Sequence, residues 1–211
     1  MTKAPTERKV PAKRRFIEEI SGEDYLHKHV WRTVTRQLEH ADKNPIGASS
    51  DQLVAMVFTS HALEGYLNFL GDKIAHELWI NEQEHFKSTG LDGKLAVLHE
   101  KCGLPMLEKG KRPYSTITDL KRLRNKITHP KTIRTETKKE YDEGKERPLF
   151  QQYYLDKAVT HQKAHQAMTD VEEVFERLHA EALLKFPNAK LGVKALTGVL
   201  STSSISGRLK K

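Results

Sequence analysis

Apolar positions along the chain recur at helical rather than strand spacing and predict about five helices. Leu26, Val30, Val34 and Leu38 follow one another at four-residue steps, which predicts a first helix over 22–41, ended by the breakers Asn44-Pro45-Ile46-Gly47. The clearest pattern is the next one: Leu53, Val57, Ser60, Glu64, Leu67, Gly71, Ile74 and Leu78 alternate three- and four-residue steps. It predicts a long core helix over 51–78, with Ser49 or Ser50 as its cap and Asp51 favourably placed in its first turn. Leu95 and Leu98 mark a short third helix over 91–102, stopped by Gly103. Leu120, Leu123 and Ile127 mark a fourth over 116–127, where Thr116 and Asp119 are spaced like a capping box and Pro130 sets the far limit. Val159, Ala167, Val171, Val174, Phe175 and Leu178 are candidates for the buried face of a fifth helix over 154–185.

Between and beyond these stretches the pattern disappears. Residues 131–148 are mostly charged and predict an exposed loop. Residues 1–20 read as a flexible basic tail, and the Gly-, Ser- and Lys-containing stretch 188–211 as a second flexible tail. One helical domain over 21–187 remains. No Val/Ile/Thr run alternates like a strand followed by a turn, so the fold class is all-α, a bundle of helices.

Composition adjusts this picture in three ways. With 37% hydrophobic and 30% charged residues among 211, part of the chain is expected to lie outside the core. The formal net charge is +8, which suits a polyanionic partner through phosphate neutralisation. Much of that excess sits in the ends (Lys3, Arg8, Lys9, Lys13, Arg14 and Arg15; Lys190, Lys194, Arg208, Lys210 and Lys211), where solvated tails explain it equally well. Cys102 is the only cysteine; no internal disulfide can form, and a small buried hydrophobe in a reducing compartment is the expected role. No apolar run reaches membrane-spanning length and the N-terminus lacks a signal-peptide core, so a soluble, cytoplasmic protein is expected.

Candidate chemistry concentrates in Arg124-Asn125-Lys126-Ile127-Thr128-His129, with Arg and His four residues apart. This run resembles the Arg-x-x-x-x-His signature of the HEPN superfamily, including the polar residue that often follows the arginine. The likeness extends to the layout over 22–186, a helical bundle with a long early helix and the motif at the end of a later one. The resemblance implies a metal-independent endoribonuclease, of the kind that serves as a toxin or in phage defence. It implies RNA as substrate, a homodimer whose two motifs meet in a composite active site, and room for an inhibitor protein as partner. No cofactor and no metal are expected. Non-catalytic RNA- or protein-binding modules of the same fold are the alternative.

The residue chemistry supports the same reading independently. RNA is cleaved without metal when its 2′-hydroxyl attacks the adjacent phosphate, leaving a 2′,3′-cyclic phosphate and a 5′-hydroxyl. His129 suits the proton transfers near neutral pH, and the planar fork of Arg124 suits the charged phosphorane. On one ideal helix the two side chains would point about 140° apart, so either the helix breaks at Thr128 or a second chain completes the site. Glu64 interrupts the apolar stripe of the second helix. A carboxylate there is costly unless paired, and Arg124 is its natural partner; the other reading leaves it at the stripe's edge in water. Asn125 is a candidate for contacting phosphate or fixing His129, or for a local cap. The bland reading of the whole motif is structural: His129 favours a helix C-terminus and Arg124 braces Glu64.

Other constellations are weaker. His161 and His165, four apart, form half of a zinc site whose third ligand is not adjacent, although Glu172 and Glu173 lie further along; a solvated polar face explains them as well. Tyr114 is a candidate for base stacking or for core packing. The chain carries no Walker A run, no Gly-x-Gly-x-x-Gly, no nucleophile elbow and no zinc-finger or RNA-recognition signature. A purely helical interaction protein, with the motif a coincidence, is the third reading.

Overall fold

The computed structural model describes residues 16–134 and 153–209. The expected tail over residues 1–15, most of the expected loop over 131–148, and Lys210 and Lys211 lie outside the described residues. The chain forms two compact units, one from its two ends and one spanning 25–200.

The first unit is a two-stranded antiparallel sheet of β1 (Phe16–Asp24) and β2 (Ser201–Leu209). Ile20 pairs with Ile205, and Ser21 with Ser204, whose hydroxyls lie 2.7 Å apart. Gly22 stands opposite Ser203 where a Cβ would meet the Thr202 carbonyl oxygen at 2.6 Å. The sheet corrects two expectations: the class is mostly helical rather than all-α, and the first helix does not begin at Gly22. Its Ile20 and Ile205 are exposed, so the described side chains of the strands show no buried, alternating face of the kind periodicity detects.

The second unit is the helical body. Among the described residues it contains α1 (Leu26–Lys43), α2 (Ala48–Ile74), α3 (His76–Trp79), α4 (Glu82–His85), α5 (Gly90–Cys102), α6 (Tyr114–Thr128), α7 (Tyr154–Ala158) and α8 (His161–Lys185). The five long helices correspond to the five predicted ones. The long α2 is central and packs against α1, α5, α6 and α8. Its Tyr66, Leu67 and Leu70 join Leu95, Leu98, Leu120, Phe175 and Leu178 in one core. All six predicted α8-side positions, from Val159 to Leu178, are buried.

Three details differ from expectation, each for a physical reason. The α1 face in contact with the core is His27, Trp31, Val34, Leu38 and Ala41, while Leu26 is exposed. Four-residue steps gain about 40° each on an ideal helix, so Leu26 and Leu38 lie on different faces. The α2 helix stops at Ile74 rather than Leu78: Ala75 leaves helical geometry and lets Trp79 fold back onto Gly71, where any Cβ would lie 2.0 Å from the indole. The predicted fifth helix is interrupted at Val159–Thr160, both extended, and the Thr160 hydroxyl caps α8 by accepting from Lys163 N–H at 3.3 Å.

Residues 188–200, expected as tail, belong to this body. Leu191, Ala195 and Leu196 are buried in the core. Two buried histidines hold the segment: His27 Nε2 donates to the Ala195 carbonyl and His179 Nε2 to the Gly192 carbonyl, both at 3.1 Å. Burial holds both rings below the usual histidine range, His27 at about 4. In the neutral ring His179 Nδ1 is then free to accept from the Tyr66 hydroxyl at 3.2 Å. Cys102 is buried as expected, its thiol pushed up to about 11 by burial.

Candidate functional site

Arg124 projects from the C-terminal part of α6 toward α2, and its Nη1 donates to Glu64 Oε2. The interruption in the α2 stripe is therefore an ion pair, with the Arg124 side chain 23% and the Glu64 side chain 36% exposed. The pair is part of a larger network. Glu64 Oε1 also lies 3.9 Å from Lys94 Nζ, and the Lys94 ammonium donates to Asn68 Oδ1 at 2.7 Å and to Glu82 Oε1. Asn68 Oδ1 accepts in addition from Trp79 Nε1 at 3.4 Å. Lys94 is buried, and a buried ammonium is tolerated only when its donors are used. Two cations, Arg124 and Lys94, thus face two carboxylates, Glu64 and Glu82, across α2, α4, α5 and α6.

His129 is the residue at which α6 ends. Its N–H still donates to the Asn125 carbonyl at 3.1 Å, while its own backbone (φ −121°, ψ 67°) has left the helix. The helix therefore ends at Thr128, whose hydroxyl donates back to the Arg124 carbonyl at 2.9 Å, with His129 as its C-cap. The His129 and Asn125 side chains are exposed; among the described residues neither makes a hydrogen bond or ion pair. The structure thus joins Arg124 to Glu64 and leaves Asn125 and His129 open to solvent. Within one chain no contact links the guanidinium to the imidazole.

Sequence reasoning missed two further features. Lys94 was legible in principle, because a lysine three residues after Leu91 and four before Leu98 lies on the buried face of α5. Asp170 gives the same signal on α8: it is buried and accepts from Arg112 Nε at 2.9 Å and from the Thr116 hydroxyl at 2.5 Å. Thr116 consequently sits inside α6 rather than capping it, which corrects the capping-box assignment. Tyr114 is half-buried and places its hydroxyl on Asp92 Oδ1 at 3.3 Å.

Beside α6 lies a cleft of about 470 Å³. Met56, Leu120 and Leu123 contribute an apolar lining, and Arg122, Lys157 and Lys163 supply positive charge against the single carboxylate of Asp119. Tyr154 also lines it, with Lys126 Nζ 3.8 Å from the ring centroid. Neither Arg124 nor His129 borders this cleft.

No protein-family model, curated protein or solved structure matches the chain. Among the described residues no helix is long and apolar enough to cross a membrane.

Proposed function

We propose that the protein is a metal-independent endoribonuclease of HEPN type, active as a homodimer, with His129 as general acid/base and Arg124 as the group that stabilises the phosphorane. The observation that carries this reading is the Arg124–Glu64 pair beside an unengaged His129 at the end of the same helix. Glu64 holds Arg124 through Nη1 alone among the described residues. The other guanidinium N–H groups remain available for a phosphate, with the fork already oriented. An exposed imidazole without a side-chain partner is free to take the 2′-hydroxyl proton and to return one to the 5′-oxygen leaving group. Asn125, exposed on the same turn, is the further candidate to contact the phosphate. In the dimer the motifs of two protomers share one cleft, which supplies the convergence that the separation of Arg124 and His129 on one helix denies.

The basic, partly apolar cleft beside α6 adds a track for RNA: bases stack or pack on apolar and aromatic surface while phosphates follow the cations. A toxin or phage-defence effector, with an inhibitor protein as partner, is the cellular role this chemistry suits. The second reading, a non-catalytic RNA- or protein-binding module, is favoured by one observation, namely that the network of Lys94, Glu64 and Arg124 gives the arginine a bracing role without any substrate.

Incubation of labelled RNA with the protein in EDTA, beside His129→Ala and Arg124→Ala, separates the two. The nuclease reading expects cleavage by the wild type and loss of it in both variants. RNA binding without cleavage by any of the three leaves the module reading standing and removes the nuclease.

A further inference from the structure

We propose that Asp42, His161 and His165 form a binding site for a divalent transition-metal ion of the zinc class, which staples the end of α1 to the start of α8. The three side chains offer one ligand atom each, and all three atoms lie within 4.8 Å of one another. Both imidazoles converge on the same carboxylate oxygen: His165 Nε2 lies 2.9 Å and His161 Nδ1 3.5 Å from Asp42 Oδ1. The two rings lie side by side with centroids 4.5 Å apart, as four-residue spacing on one helix allows. Exposed ion pairs contribute little to stability, so packing gives no reason for two histidines to share one acid.

The donor set selects the ion. Two imidazole nitrogens and one carboxylate oxygen suit zinc, cobalt, nickel or copper, whereas magnesium and calcium favour oxygen ligands throughout. In a tetrahedral site with bonds of about 2.0–2.1 Å, neighbouring ligand atoms lie roughly 3.3 Å apart. The two observed contacts to Asp42 bracket that value, and all three side chains are at least partly exposed and free to adjust. Three protein ligands leave a fourth position for water. On binding, each neutral imidazole presents its lone pair from the nitrogen facing Asp42 and carries its proton on the other nitrogen. The positive end of α8 opposes a cation at His161. The charge of Asp42 is therefore the ligand on which binding depends most.

Sequence spacing supplied no third ligand beside the two histidines, with Glu172 and Glu173 only further along; the fold supplies Asp42 from another helix. The site shares no residue with Arg124, Asn125, His129 or Glu64, so its fate and that of the ribonuclease reading are decided separately.

The test is titration of the full, untagged, chelator-stripped chain with Zn²⁺ by calorimetry and with Co²⁺ by visible absorption. Asp42→Asn and His165→Ala serve as variants, and metal-free melting curves establish that each is folded. The expected result is one equivalent of Zn²⁺ bound, a Co²⁺ ligand-field band, a metal-dependent rise in melting temperature, and affinity weakened more than about tenfold in both folded variants. Mg²⁺ should give no signal. Absence of Zn²⁺ and Co²⁺ binding by the wild type overturns the proposal, and so does binding that persists undiminished in both variants, which would move the site to others of the 11 histidines.

Discussion

Replacing Glu64 by glutamine removes the negative charge that both Arg124 and Lys94 face, while keeping the shape of the side chain. The four-charge cluster of Arg124, Lys94, Glu64 and Glu82 then carries a net positive charge. The Lys94 side chain is only 4% exposed, so water can do little to compensate there. Breaking a fully buried pair costs about 3–5 kcal/mol, and an exposed pair contributes about 0–1 kcal/mol. With the Glu64 side chain 36% exposed and Arg124 23% exposed, solvent screening discounts the buried figure to about 2 kcal/mol. For a domain of this size that lowers the melting temperature by about 4–8 °C. Urea unfolding followed by far-ultraviolet circular dichroism measures the loss, and the difference should survive high salt because a part-buried pair is weakly screened. Combining Glu64→Gln with Arg124→Gln should cost less than the sum of the two. A loss below about 0.5 kcal/mol, or full additivity, would refute the idea that Glu64 braces the arginine.

Asp170→Asn should cost about 2–4 kcal/mol, read from the urea midpoint, because a buried carboxylate held by Arg112 and Thr116 is replaced by an amide that one of them cannot satisfy. Gly71→Ala should cost about 1–3 kcal/mol, read as a lower melting temperature, since the new Cβ would lie 2.0 Å from the Trp79 ring. Burial lowers His27 to about 4 and also depresses His99 and His179. The unfolded chain therefore takes up protons first as pH falls from about 6.5. Stability is full above that value and is lost as pH falls toward about 4, by roughly 2–3 kcal/mol for His27 alone. Urea midpoints across that range should flatten in a folded His27→Gln variant, and an unchanged slope would contradict the assignment.

The long helices were legible because their buried faces follow helical spacing. Leu95, Leu98, Leu120, Leu123 and the run from Val159 to Leu178 are all buried where that spacing puts them. What escaped was set by tertiary contacts rather than by local spacing. The two strands pair through residues near opposite ends of the chain, and their described side chains bury no alternating face. The stop after Ile74 comes from Trp79 returning to Gly71, and residues 188–200 are held by His27 and His179, none of which leaves a local pattern. In the candidate site, Glu64 was visible as a charge in an apolar stripe, and the cost of burying it made pairing with Arg124 one of two readings, the other leaving it in water; the fold pairs the two. Lys94 and Asp170 carried the same signal on α5 and α8 and show that a charged residue on a buried helical face points to a partner on another element. The openness of His129 was beyond sequence reasoning, because it depends on what α6 does not pack against.

That openness makes His129 the sharpest probe. It is exposed and has no side-chain partner among the described residues, so His129→Ala should change stability by no more than about 0.5 kcal/mol, whereas Arg124→Ala disturbs the network as well as the chemistry. The decisive measurement is the identity of the RNA ends produced in EDTA by the wild type and by His129→Ala at matched stability. The expected outcome is 2′,3′-cyclic phosphate and 5′-hydroxyl ends from the wild type and no cleavage above background from the variant. Equal cleavage by His129→Ala, or ends that appear only when a metal is added, would contradict it.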